Sequence, residues 1–76
     1  MDKVMEILKE VNNQIDYEKE KDLINSGIFS SFDILFCISL IEEKFHIEVP
    51  ADEISNANFS SADNILSMIN RIQERN

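Results

Sequence analysis

The sequence predicts an all-α fold, a small four-helix bundle of three longer helices and one short one, on three observations. The chain of 76 residues holds a single glycine and a single proline, whereas chains built on hairpins punctuate themselves often with Gly, Pro and Asn-Gly turns. Apolar residues recur at helical spacing in three separate stripes. Two segments of the form S-x-x-D stand where two of those stripes begin, as helix-capping boxes do. The length leaves room for one core, so residues 1–76 read as a single domain.

Taken in order, Val4, Leu8, Val11 and Ile15 fall at i, i+4, i+7 and i+11, which predicts a first helix from about Asp2 to Asp16. Residues 17–22, YEKEKD, have no apolar period and read as a solvated connection, with Leu23 and Ile24 tucked into the core behind it. Ile34, Ile38, Ile41 and Phe45, joined by Cys37, form the second stripe. Ser30-Ser31-Phe32-Asp33 precedes it, with Ser30 as N-cap and Asp33 reaching back from the third helical position. This helix should end at His46, and Pro50 disfavours helix at Val49. Residues 51–57, ADEISNA, should hold one or two turns with Ile54 pointing inward. Ser60-Ser61-Ala62-Asp63 repeats the capping pattern before Ala62, Ile65, Ile69 and Ile72, with Leu66 beside them. Arg71 and Arg75 would close the third long helix at its negative end.

Composition narrows the function. Hydrophobic residues at 43% support a folded globule rather than a disordered chain. Fifteen acidic against seven basic residues give a formal charge of −8, which repels phosphate backbones and anionic headgroups. No nucleic-acid partner is expected, and no membrane insertion, since no apolar run approaches the ~20 residues of a span. A basic patch on a partner protein is the complementary surface. The single Cys37 cannot form an internal disulfide, and MDKVMEILKEV lacks the unbroken apolar core of a signal peptide, so a cytoplasmic location is expected.

Most catalytic constellations are missing. No metal-ligand spacing or glycine-rich phosphate loop occurs, and His46 reads as a helix-end residue. Cys37, on an apolar stripe, reads as a small buried hydrophobe rather than a nucleophile. Such a chain is not expected to be an enzyme. The two serines at 30 and 31 remain. If Ser30 caps the helix, Ser31 is its first helical residue, at the positive end of the macrodipole. A phosphate is favoured there, although serines are also common at helix starts for capping alone.

Three blocks in order, GIFSSFDIL, ISLIEEKFHIEVP and NFSSADNI, resemble the acyl carrier protein family, including its D-alanyl and peptidyl carrier relatives. The family pattern is a glycine, two apolar residues and Asp-Ser-Leu, then a helix ending Leu-Glu-x-x-Phe-x-Ile-x-Ile/Val-Pro. A later Phe-x-Thr/Ser-hydrophobic precedes the last helix. The resemblance covers roughly residues 1 to 75. It implies a free-standing carrier, expected to be a monomer, with a phosphopantetheine arm on Ser31. A phosphopantetheinyl transferase would add the arm from coenzyme A. An acyl- or aminoacyl-loading enzyme would charge its thiol, and downstream acyl-transfer enzymes of fatty acid, polyketide or nonribosomal peptide biosynthesis would receive the cargo.

Candidate docking residues on this reading are Phe32, Asp33, Leu35, Phe36, Ser39, Glu42, Glu43 and Ile54. Three departures from the family stand out. Ser30 replaces the Asp before the modified serine, removing a charge that the transferase reads. Phe36 stands where fatty-acid carriers show an acidic residue, and Ser39 where many have a large apolar one. Phe32 either joins Phe36 in an exposed apolar patch or folds inward under the preceding loop. The rival readings are an unmodified carrier-like domain acting as a protein-interaction module, and a helical regulator unrelated to carriers.

Overall fold

The computed structural model describes residues 1–75, and among them there are three α-helices, one 3₁₀ turn and no strand. Helix α1 spans Asp2–Val11, α2 Ser31–Phe45 and α3 Ala62–Arg75, with the 3₁₀ turn at Ala51–Glu53 between α2 and α3. Helix α1 packs against both α2 and α3. No helix among the described residues is long and apolar enough to cross a membrane.

Helix α1 buries Val4, Ile7 and Leu8, with Asp2 in its first turn and Lys9 in its last, each at the end its charge favours. It stops at Val11, short of the predicted Asp16. Asn12 is extended, and its side-chain oxygen accepts the Gln14 N–H at 3.0 Å, a local bond that competes with the helix. Val11 and Ile15 still pack against the core, so the stripe continues in the loop after the helix has ended.

The predicted solvated connection also needs correction, because Tyr17 is only 3% exposed. Its one hydroxyl proton is shared between Asn12 O at 2.7 Å, just past the end of α1, and Leu8 O at 2.8 Å, which also accepts the Asn12 N–H. Its ring meets Phe29 edge-on, with centroids 6.1 Å apart. Burial, followed by the nearby Cys37 and Asp33 groups, pushes the phenol up to about 12. Lys19, Glu20, Lys21 and Asp22, which lack an apolar period, do stay at or near the surface.

Helix α2 buries Cys37, Ile38, Leu40 and Ile41, and α3 buries Ala62, Ile65, Met68, Ile69 and Ile72. Leu23 and Phe59 reach the same core from loops and have no exposed surface. Burying a side chain such as Phe59 stabilises the fold by about 1.5–3 kcal/mol.

The short helix predicted over residues 51–57 is a single 3₁₀ turn, and Ile54 points outward at 44% exposure. Glu53 takes the inward place, 6% exposed. Arg71 lies 3.1 Å and Arg75 3.5 Å from its carboxylate, and Asn58 donates to it at 3.0 Å. The Arg71 hydrogen bond holds this carboxyl below its ordinary value of 4.5, against the opposing effect of burial. The charge of Arg71, the Asn58 bond and Arg75 act in the same direction as that hydrogen bond. The two arginines therefore tie α3 to the 3₁₀ turn as well as closing the helix.

The second capping box is shifted as well. Helix α3 begins at Ala62, and Ser61 accepts the Asn64 N–H at 3.2 Å. Asp63 instead pairs with Lys21 at 3.3 Å, so the cap is one residue later than the pattern suggested.

Candidate functional site

The segment entering α2 is held at several points. Leu23 N–H donates to Ser60 O at 2.8 Å, and Phe29 N–H donates to Leu23 O at 2.9 Å. Gly27 turns the chain between them at φ +83, a left-handed conformation costly for other residues. A side chain at Gly27 would meet nothing within 4 Å, so the requirement is conformational rather than steric. Phe29 is buried, and the next two residues emerge as the exposed pair Ser30 and Ser31.

Those serines hold different positions, as the sequence predicted. Ser30 is the N-cap, and both halves of the capping box are formed. Its hydroxyl oxygen accepts the Asp33 N–H at 3.3 Å, and Asp33 Oδ2 accepts the Ser30 N–H at 2.8 Å. The Ser30 hydroxyl also lies 3.1 Å from that carboxylate oxygen. Ser31 is the first residue of α2, exposed and outside the box. The amides of Ser31 and Phe32 belong to the first turn, where no intrahelical acceptor reaches them.

The candidate docking residues divide into two groups. Phe32, Leu35, Phe36, Ser39 and Glu43 are all exposed and share one face of α2 at i, i+3, i+4, i+7 and i+11. Phe32 projects outward at 84% exposure, which decides between the two positions left open for it. Asp33 and Glu42 have internal partners. Asp33 completes the capping box, and Glu42 accepts the Val49 N–H at 2.9 Å, anchoring the chain after α2. Ile54 is exposed but lies beyond the 3₁₀ turn, outside the α2 stripe.

At the other end of α2, His46 adopts a left-handed C-cap conformation at φ 54. It helps line a groove with Glu42, Ile47, Val49, Pro50 and Arg75. Cys37 has no exposed surface, and burial pushes its thiol up to about 12, so it is held as an inert thiol.

Sequence reasoning missed the roles of Tyr17, Glu53 and Glu42. Glu53 meets Arg71 18 positions along the chain, with no local pattern to link them. Tyr17 had one usable signal, a lone aromatic just past an Asn-Asn pair that ends a helix. The chain matches no protein-family model, and no curated protein or solved structure shows significant similarity to it.

Proposed function

We propose that this chain is an acyl carrier protein, a carrier rather than a catalyst, with Ser31 as the attachment point for phosphopantetheine. The observation that supports it most is the division of labour between the two serines. Ser30 is engaged in the capping box, while Ser31 stands exposed at the first position of α2. The residues present fit a phosphodiester there. Ser31 offers an accessible hydroxyl oxygen, and the first-turn amides favour negative charge beside it. On this reading the 3₁₀ turn takes the place of the short helix in a four-helix carrier bundle.

When attached, the arm would supply a thiol that holds an acyl or aminoacyl group as a thioester. The chain's own part is to present Ser31, to keep α2 capped next to it, and to offer a face that partner enzymes bind. A domain this small brings its cargo to each partner by tethering, which raises effective concentration.

Incubation with coenzyme A and a broad-specificity phosphopantetheinyl transferase, followed by intact-mass measurement, tests the reading. A mass gain of one phosphopantetheine that maps to Ser31 is the expected result. The exposed apolar face of α2 and the serine at position 30 favour one second reading, an unmodified protein-interaction module. An unchanged mass for both the natural chain and Ser30→Asp would support that module instead.

A further inference from the structure

We infer that Tyr17 is a positioning residue for attachment at Ser31. Its buried side chain clasps the end of α1 to Phe29 and thereby fixes the turn that presents the Ser31 hydroxyl. The inference rests on the attachment proposed above.

Ser31 stands at the end of a long connection. Residues 12–30 hold turns but no helix or strand. Connections beyond about 12–15 residues without such elements are uncommon in compact domains, and the ordered ones are packed by their own side chains. Several backbone bonds here are local: Lys19 and Glu20 donate to Asp16 O, Ser26 to Asp22 O and Gly27 to Ile24 O. Leu23 ties the second half to Ser60, at the entry to α3. Tyr17 joins the first half to what lies on either side of it, α1 and the entry to α2. Its hydroxyl proton is shared between Asn12 O and Leu8 O, and its ring stands at 75° to that of Phe29, with centroids 6.1 Å apart. Phe29 is two residues before Ser31, so a shift of Phe29 reaches the serine through about 7 Å of chain.

The capping box does not replace this clasp. Its bonds, from Ser30 N–H to Asp33 Oδ2 at 2.8 Å and from Asp33 N–H to Ser30 Oγ at 3.3 Å, are open to water. Such a cap is worth about 1 kcal/mol, and a helix end held by so little frays. Tyr17 and Phe29, each 3% exposed, supply the buried contact behind the exposed turn. In the attachment step the Ser31 oxygen bonds to the phosphorus next to the pantetheine arm. The bond from that phosphorus to the bridging oxygen of the diphosphate breaks, the nucleotide half of coenzyme A leaves, and the hydroxyl proton goes to a base on the transferase. The reacting atoms must be held about 3–3.5 Å apart, so a turn that frays while docked costs rate.

The test is steady-state attachment by a broad-specificity phosphopantetheinyl transferase, with coenzyme A saturating, the carrier varied and every variant kept well below its melting temperature. Tyr17→Phe keeps the ring and loses the hydroxyl tie, whereas Tyr17→Leu loses both. kcat should fall about threefold for Tyr17→Phe and about tenfold for Tyr17→Leu, with KM for the carrier within about twofold of the parent. If Tyr17→Leu does not fold, Tyr17→Phe carries the comparison alone. Glu53→Gln, which loosens the fold at the 3₁₀ turn instead, is the control and should keep the parent kcat. Hydrogen exchange gives a measurement that needs no transferase. The Ile34 N–H, bonded to Ser30 O at 3.1 Å, and the Ile65 N–H, bonded to Ser61 O at 3.0 Å, hold matching places in α2 and α3. In Tyr17→Phe the first should exchange about tenfold faster and the second change by less than about threefold. Attachment at the parent kcat in the Tyr17 variants overturns the inference and leaves the carrier reading standing. A rise in KM with kcat unchanged also overturns it, since Tyr17 would then act in docking. An equal fall in kcat for Glu53→Gln, or equal acceleration at Ile34 and Ile65, overturns it in favour of a general loss of stability. No attachment to the parent or to Ser30→Asp removes both the inference and the carrier reading.

Discussion

Replacing the two serines one at a time separates cap from anchor. Ser30→Ala removes the oxygen that accepts the Asp33 N–H at 3.3 Å, together with the hydroxyl 3.1 Å from Asp33 Oδ2. The Ser30 backbone N–H keeps its 2.8 Å bond to the same carboxylate, so half of the capping box survives. The expected loss is about 1 kcal/mol, inside the range of about 0.5–2 kcal/mol for N-cap truncations. In a domain of this size that lowers the melting temperature by about 4–8 °C. Ser31→Ala deletes an exposed hydroxyl outside the box and installs a better helix former. Its effect on stability should stay within about 0.5 kcal/mol. Thermal melts and intact masses after transferase treatment make up the assay. Ser30→Ala should melt lower and still gain the arm, whereas Ser31→Ala should melt like the parent and gain nothing. Uptake of the arm by Ser31→Ala would refute the anchor, and an unshifted melt for Ser30→Ala would refute the cap. Ser30→Asp restores the charge of the carrier pattern, but it sets a carboxylate beside Asp33 Oδ2. Faster modification should therefore come with a small loss of stability, which Asp33→Asn relieves.

Three further outcomes follow from side chains held by internal partners. Tyr17→Phe keeps the ring against Phe29 and loses the hydroxyl proton shared between Asn12 O and Leu8 O, for about 1–2 kcal/mol at neutral pH. Because the folded phenol titrates near 12 rather than 10, its stabilisation is complete below pH 10 and is lost as pH rises towards 12. The gap between parent and Tyr17→Phe in alkaline denaturant melts should therefore shrink above pH 10; a gap that stays constant would count against the buried phenol. Glu53→Gln should destabilise the domain at neutral pH. Since the native carboxyl sits below 4.5, the parent's advantage is present above that pH and fades as pH falls beneath it, as acid unfolding curves would read. Glu42→Lys should lower the melting temperature by removing the acceptor of the Val49 N–H, whereas Glu43→Lys should leave melting unchanged and alter only partner kinetics.

The parts of the fold that could be read from sequence are those written in local spacing. The stripes at 34–45 and 62–72 lie in α2 and α3, and the capping box at Ser30–Asp33 formed as spelled. What spacing could not show was competition between partners distant in the chain. The pattern ran on to Ile15, yet Asn12 turned its side chain to the backbone and the Tyr17 hydroxyl reached back to Asn12 O and Leu8 O, so the stripe outlived the helix. Ile54 was the natural apolar residue to bury between Pro50 and Asn58. The inside was taken by Glu53 because two arginines one turn apart on α3 and the amide of Asn58 satisfy it together. A carboxylate outcompetes an isoleucine for a buried place only with partners already in position, and those partners are invisible in any local window.

The site shows the same division, with a consequence for how the domain would meet its partners. Residue spacing placed Phe32, Asp33, Leu35, Phe36, Glu42 and Glu43 on α2 but could not separate carboxylates that hold the chain together from those left for recognition. With serine at position 30, Asp33 is the one carboxylate of the capping box. An aspartate at that position would put two carboxylates on the same turn, so serine there caps the helix without that repulsion. Glu42 is likewise committed to the Val49 amide. The acidity of the whole chain can still speed encounter with a basic partner at long range. At contact, the surface nearest Ser31 is Phe32, followed down the helix by Leu35 and Phe36. Salt should therefore slow the approach of a partner more than it weakens the complex once formed, and substitution at Phe36 should do the reverse. Association and dissociation rates measured separately across a salt series would distinguish the two, and a complex whose dissociation rate rises steeply with salt would show that ionic contacts hold it.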